Sequence, residues 1–243
     1  MMNDRFEEEV QENIRALGNA ANLRRLSLNW IEEVSKYNYS YNFTWLGRPI
    51  IQFPQDIIAM QEIIWRVRPE VIIETGIARG GSLVFYASVL ELLGGNGRVL
   101  GIDVDIRAQN RIEIEKHPLS KRVTMIQGSS VEERVVAQAH EFARRKPVLV
   151  VLDSNHTHEH VRKELALYSP LVTRGSYLVV FDTIIEDLPG DFFPNRPWGR
   201  GNNPSTAVEE FLRESDRFVR DKEIEDKLLI TVAPGGYLHC VKE

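Results

Sequence analysis

Between Val71 and Val180 the chain alternates short apolar runs with amphipathic stretches, and this alternation constrains the fold more than any other feature. The apolar runs lie at 70–75, 98–103, 122–127, 147–153 and 175–182, and the helical patterns between them at 81–93, 107–116, 130–144 and 158–170. The runs are continuously apolar, as in Val148-Leu149-Val150-Val151-Leu152, so both faces of each strand need cover. Such strands separated by helices make a parallel sheet with helices on both faces, a doubly wound α/β fold.

The two ends depart from this rhythm. Phe6, Val10, Ile14 and Leu17 recur at helical spacing, and Leu23, Leu26, Trp30, Ile31 and Val34 mark a second helix. The aromatic stretch Tyr37 to Trp45 reads as packing of this extension on the core, with ligand contact as the alternative. Leu46-Gly47 is a turn between short extended pieces, and Pro54 opens a helix running to about Arg66. Residues 1–53 are therefore a helical, aromatic extension, and 54–243 a single α/β domain. Residues 184–203, rich in Pro, Gly, Asn and Asp, form a long loop before a helix at 205–216. Lys227–Val232 and Tyr237–Val241 flank Pro234-Gly235-Gly236 as an antiparallel hairpin closing one edge of the sheet.

Composition narrows the partners. A net charge of −5 with acids and bases interspersed lacks the basic footprint of nucleic-acid binding. No apolar stretch approaches the roughly 18 residues of a membrane span, and the acidic Glu7-Glu8-Glu9 is unlike a signal peptide. Cys240, the one cysteine, rules out an intrachain disulfide and reads as a packed core thiol. The expectation is a soluble cytoplasmic protein without nucleic-acid or membrane partners.

The first strand ends in Glu74-Thr75-Gly76-Ile77-Ala78-Arg79-Gly80-Gly81-Ser82 and leads into a helix. Glycine permits a sharp turn and close approach of a ligand, and the helix start offers unpaired N–H groups. The next strand also ends in an acid, Asp103, placed to accept hydrogen bonds from a ribose. The spacing is not the G-x-G-x-x-G of dinucleotide sites. A carboxylate at Glu74 would repel a pyrophosphate but suits an ammonium, which favours S-adenosylmethionine (SAM) over NAD.

Two further strands end in acids, Asp153 and Asp182. Open α/β sheets bind ligands at such ends, and if the two strands are neighbours these carboxylates can share a hard cation such as Mg²⁺. Helix or loop capping is the alternative use of both. His156, His158 and His160 alternate just beyond. His156 falls in the loop nearest the cleft, where a neutral imidazole can take a proton from a hydroxyl. His160 falls on the following helix, expected to point away. Ser129 and Ser130 follow the third strand and can border an adenine, although Ser130 with Glu133 also fits a helix cap.

Taken together, these segments resemble SAM-dependent class I methyltransferases of the cephalosporin hydroxylase family, which includes antibiotic-tailoring and sugar O-methyltransferases. Arg196-Pro197-Trp198-Gly199 through Pro204, Leu152–His156, Asp182-Thr183 and Pro234–Leu238 carry the resemblance alongside the glycine turn and the 101–105 segment. It implies a mostly parallel, Rossmann-like sheet of seven strands. It also implies that Glu74, Gly76, Gly80 and Ser82 line the methionine end of SAM, with Asp103 at the ribose and Ser129 and Ser130 at the adenine. The family is similar to catechol O-methyltransferases, which hold Mg²⁺ at positions matching Asp153 and Asp182, and His156 stands where those enzymes carry a basic lysine. The chain departs from its relatives at Phe181, where they often have an acid. Thr183 or His156 is then the third metal ligand, or the reaction proceeds without a metal.

The leading expectation is a SAM-dependent O-methyltransferase acting on a hydroxyl of a small molecule, a secondary metabolite or sugar. Mg²⁺ assists, His156 and Asp153 are catalytic, and Phe192, Phe193 and Trp198 either wall the acceptor site or pack the loop on its own body. The resemblance also suggests a homo-oligomer. Two other readings compete: an iron-dependent oxygenase using His156 and His158 in a two-histidine, one-carboxylate site, and a non-catalytic protein that holds SAM or a nucleoside.

Overall fold

The computed structural model describes residues 4–144 and 146–243. Two helices open it, α1 (Asp4–Gly18) and α2 (Ala21–Ser35). A short hairpin follows, β1 (Phe43–Trp45) and β2 (Arg48–Ile50). Its two turn residues, Leu46 and Gly47, have positive φ, the backbone twist that two-residue hairpins need. Helix α3 (Pro54–Val67) starts on its proline and stops at Arg68, which is left-handed.

From there the expected alternation is realised. β3 (Val71–Thr75), α4 (Gly81–Leu93), β4 (Arg98–Asp103), α5 (Ala108–Glu115), β5 (Val123–Gln127), α6 (Glu133–Ala143), β6 (Val148–Leu152), α7 (His158–Tyr168) and β7 (Tyr177–Val180) succeed one another. α8 (Pro204–Glu214), β8 (Phe218–Arg220), α9 (Lys222–Leu228) and β9 (Tyr237–Cys240) complete the chain. The seven-stranded sheet has the order β5-β4-β3-β6-β7-β9-β8. β3 to β7 are parallel, and β9 enters antiparallel between β7 and β8.

Side chains alternate across each strand. Ile72, Val99, Leu149, Val151 and Val179 pack on one face with α3, α4 and α9. Val71, Ile73, Leu100, Val148, Val150 and Leu152 pack on the other with α6, α7 and α8. Each such aliphatic is buried, and full burial contributes about 1.5–3 kcal/mol. Cys240 is buried in the second of these cores, as expected. Among the described residues no helix is long and apolar enough to cross a membrane.

The terminal hairpin is built from other residues than the sequence suggested. β9 pairs with β8, Phe218 opposite Cys240 and Arg220 opposite Leu238, and Lys227–Val232 is not a strand. The reason is a carboxyl group buried on α3. Asp56 accepts hydrogen bonds from the Thr231 hydroxyl, from Val232 N at 3.0 Å and from the Tyr237 hydroxyl at 2.7 Å. It thereby satisfies a segment that would otherwise need a strand partner. Burial pushes the Asp56 carboxyl up to about 6.

A third, smaller core joins the N-terminal extension to the long loop. Ile31, Phe53, Ile184 and Leu188 are buried together, with Trp30, Tyr39, Phe192 and Phe193 packed against them. Trp30, Tyr39, Phe43 and Phe53 meet edge to face with centroids 5.0–6.0 Å apart, the arrangement ring quadrupoles favour. Tyr37 and Tyr41 of the same stretch remain exposed.

Candidate active site

The glycine turn sits at the C-terminal end of β3, in the middle of the sheet. Gly76 has φ +84°, and a Cβ there would lie 2.0 Å from the carbonyl oxygen of Asp153. No other residue fits, because β3 and β6 are adjacent and the turn crosses the β6 end in contact. Gly81 begins α4, where a Cβ would lie 2.2 Å from the carbonyl oxygen of Pro49. Gly80 precedes it as the left-handed N-cap. Strand β2 thus lies directly on the turn. Arg48 strengthens the contact by donating from Nη2 to the Arg79 carbonyl at 2.5 Å. A small cleft results, lined by Ile51, Gln52, Gly76, Ala78, Ser82 and Asp153 among others.

Glu74 is fully buried below this cleft and accepts from the Ser82 hydroxyl at 2.6 Å. Burial pushes its carboxyl up to about 8, against the pull of the Ser82 hydroxyl. Several buried polar atoms here have no hydrogen-bond partner among the described residues: Glu74 Oε1, Thr75 Oγ1, Tyr86 Oη and both amide atoms of Gln52. Buried polar atoms without partners are uncommon and point to a missing polar group. Gln52 and Arg48 are members of this site that the sequence reading passed over. The glycine pair signalled a close approach, but not of which segment.

Asp103 ends β4 beside the turn. Its Oδ2 accepts from Ile77 N at 2.9 Å and Ala78 N at 3.3 Å, and its Oδ1 from Asp105 N at 3.0 Å. The loop after β5 bonds to the same strand end, Gly128 N to the Asp103 carbonyl at 2.9 Å. Ser129 and Ser130 follow in that loop. Ser130 is not a helix cap, since α6 begins only at Glu133 and its Ncap, Glu132, makes no side-chain bond.

The acids of β6 and β7 converge as the strand order requires. Asp153, His156 and Asp182 each offer a donor atom, all within 4.8 Å of one another. His156 Nε2 stands 3.1 Å from Asp182 Oδ2. An Asx turn, Asn155 Oδ1 accepting from Thr157 N at 2.9 Å, holds His156 out of the helix that follows. Asp182 has φ +58°, a strained conformation for a residue with a side chain. Withdrawal from water raises the Asp153 carboxyl well above the usual range, and the nearby Asp182, Glu74 and Glu164 add to it. Two carboxylates and an imidazole suit a hard or borderline divalent ion.

Thr183, next to Asp182, has its hydroxyl proton engaged elsewhere. Its residue is buried and its hydroxyl donates to the Pro234 carbonyl at 2.8 Å, so His156 is the third donor atom present. His158 is no partner to His156 either. Its ring nitrogens lie 2.8 Å from Thr206 Oγ1 and 3.0 Å from Glu210 Oε2, on the α7–α8 contact, which removes the histidine pair an iron oxygenase would need. His160, expected to point away, instead reaches back toward the ends of β5 and β6, with Nε2 at 3.1 Å from both Ser130 Oγ and Ser154 Oγ.

The long loop ends in a pinned turn. Gly199 and Asn202 exchange backbone bonds of 3.1 and 3.0 Å, Asn202 Nδ2 donates to the Pro197 carbonyl at 2.7 Å, and Glu186 accepts from Gly201 N at 2.8 Å. Asn203 caps α8 through a full capping box. This holds the Trp198 ring edge-on to His156, centroids 4.9 Å apart, with the Arg196 guanidinium 5.1 Å from the Trp198 centroid. Phe192 and Phe193, expected as part of the acceptor wall, pack instead on the N-terminal extension.

A parallel sheet with one antiparallel strand inserted next to its last, a glycine turn on the central strand and an acid ending the neighbouring one together define a class I SAM-dependent methyltransferase. The family model for Rhamnosyl O-methyltransferase/CmcI matches residues 37–241. Rhamnosyl O-methyltransferase of Mycobacterium tuberculosis is 30% identical over 218 residues, 85% of this chain and 83% of that one. The Mycobacterium leprae protein of the same name is 29% identical over 215 residues, 85% and 89% of the two chains. Among solved structures, a CmcI bound to Mg and SAM superposes with a TM-score of 0.58 at 20% identity, covering 83% of this chain and 78% of that one. An O-methyltransferase from Bacillus cereus superposes at 0.52 with 15% identity, covering 89% and 90%. These structural likenesses speak for the fold. The chain belongs to the Rhamnosyl O-methyltransferase/CmcI family and is a SAM-dependent O-methyltransferase.

Proposed function

We propose that this enzyme methylates a hydroxyl group of a sugar or similar small molecule, with His156 as the base and a divalent cation held by Asp153 and Asp182. The observation that carries the reading is the convergence of Asp153, His156 and Asp182 within 4.8 Å. Asp153 also lines the cleft beside the glycine turn, so acceptor and methyl donor would meet there. SAM, when bound, supplies an electrophilic methyl group on a sulfonium. The partnerless atoms of Gln52, Glu74 and Tyr86 fit its amino-acid end, and Glu74 would hold its ammonium. Asp103 would accept from the ribose hydroxyls, and Ser129 and Ser130 would flank the adenine.

Asp182, bonded at Nε2 of His156, leaves Nδ1 to take the acceptor's proton and stabilises the imidazolium that forms. A divalent cation, when bound, supplies a Lewis acid that lowers the pKa of a coordinated hydroxyl. The remaining gain is orientation, with the acceptor oxygen held in line with the methyl carbon. Trp198 and Arg196 offer a flat apolar ring and a set of donors, the pairing that the CH face and hydroxyls of a sugar require. The rhamnosyl acceptors in the relatives' names support the same class. The cytoplasm, where SAM is supplied, is the location this reading implies. A homo-oligomer is in keeping with the apolar side chains exposed on the first helices, Phe6 and Leu26. The test is methyl transfer from labelled SAM to rhamnosides and other glycosides. Transfer to non-sugar hydroxyls but to no glycoside would overturn the sugar reading.

A further inference from the structure

Helix α7 carries a polar stripe at i, i+4, i+8: His160, Glu164 and Tyr168. All three point at loops that end other strands. Tyr168 donates from its hydroxyl to the Ser130 carbonyl at 2.7 Å. Glu164 has a side chain with no exposure and accepts from the Ser154 hydroxyl at 2.7 Å. His160 lies between the loops, its Nε2 3.1 Å from Ser130 Oγ and 3.1 Å from Ser154 Oγ. In the sheet, β4 and β3 separate β5 from β6, so nothing in the ladder joins these two loops. The stripe does.

One assignment of protons satisfies all of these contacts together. A serine hydroxyl has one proton to give. That of Ser154 goes to Glu164, so toward Ser154 the ring is the donor and Nε2 carries the hydrogen. Ser130 Oγ therefore meets the same N–H as an acceptor, and its own proton has no acceptor among the described residues. Ser130 stands two residues after Gly128, whose N–H bonds the carbonyl of Asp103, so its loop is tied to the end of the strand that carries Asp103.

We infer that His160 is a positioning residue for the cofactor: it ties the β5 loop to the β6 loop and keeps the Ser130 hydroxyl free to donate to the adenosine end of SAM. This rests on the reading that SAM occupies the cleft above Asp103. It does not involve the acceptor or the cation, so its effect falls on cofactor affinity and not on the chemical step.

A double-mutant cycle read by calorimetry with S-adenosylhomocysteine (SAH) tests it. His160→Ala and Ser130→Ala each weaken SAH about tenfold, the measure of one hydrogen bond. The double variant is no weaker than about tenfold, because the two changes remove the same bond. His160→Gln, whose amide N–H reaches a similar point, stays within about threefold of the parent. 5′-Methylthioadenosine, which lacks the amino-acid end, shows the same losses, and turnover of His160→Ala at saturating SAM stays within about twofold. A merely structural role would lower the melting temperature and weaken SAH whether or not Ser130 is present. Multiplying losses in the double variant, a loss confined to SAH, or an unchanged His160→Ala overturns the inference. Should His160→Ala fail to fold, His160→Asn, polar but too short, takes its place in the cycle. A parent protein that binds no SAH would sink the cofactor reading itself, and this inference with it.

Discussion

The two halves of the sheet's C-terminal edge are built differently. The proposed cofactor half, over β3, β4 and β5, is centred on one glycine turn. One turn supplies Glu74, Gly76, Gly80 and Ser82, and the acid of the next strand bonds that turn directly, Asp103 to Ile77 N at 2.9 Å. The acceptor half, over β6 and β7, has no such turn and is assembled from two strand ends and a loop. Asp153 and His156 come from one strand end, Asp182 from another, and Trp198 from a turn pinned by Glu186 and Asn202. The difference teaches where function can vary. The turn is fixed by its own glycines, where a side chain at Gly76 or Gly81 would strike a backbone carbonyl. A wall of separate loops can be rebuilt around the same three donor atoms.

If this contrast is right, substitutions in the acceptor half stop turnover and spare the cofactor. The largest effect is expected at His156. His156→Ala should lose about 10²–10⁴ in turnover while its SAH affinity, measured by calorimetry, stays within about twofold of the parent. Weaker SAH binding would show that the halves are not separable.

Asp182→Asn sharpens the same division. It removes one ligand charge, and Mn²⁺ binding followed by electron paramagnetic resonance should weaken at least about tenfold, with turnover falling in parallel and chelator abolishing it. Full turnover in chelator would leave Asp182 as the orienting partner of His156 alone.

In the cofactor half, Asp103→Ala should weaken SAH by about 1–3 kcal/mol, with the turnover that remains at saturating SAM little changed. A loss in turnover at saturation would assign Asp103 to the chemical step.

The smallest expected effect is a pH dependence. The carboxyl of Glu74 is raised to about 8 by burial, so near neutral pH it is mostly protonated in the structure described. An ammonium partner favours the ionised form, so binding releases the proton. SAH affinity should therefore rise with pH up to about 8, by no more than about tenfold per unit, and level off above it. Glu74→Gln should bind more weakly and show a flat profile. Calorimetry in buffers of different ionisation enthalpy counts the released proton. A profile that is flat in the parent would mean that Glu74 does not meet the ammonium.

The same contrast marks what was legible in advance. The sequence by itself determined the parallel sheet, its helices and the cofactor turn, because apolar runs bounded by turns and glycines at fixed offsets are local signals. It also placed Asp153, Asp182 and His156 at strand ends. Only the tertiary structure decided which of their neighbours join them. Thr183 turns to Pro234, and Trp198 swings to His156. His158 is drawn to α8. His160 lies back across two strands to Ser130, although the pattern of α7 had it facing outward. Lys227–Val232 read as a strand and became a helix end and a loop because Asp56, buried far away in sequence, binds it. These outcomes depend on hydrogen bonds between residues tens to hundreds of positions apart. Local patterning fixes which face of an element is apolar, but not which polar partner meets it across the fold.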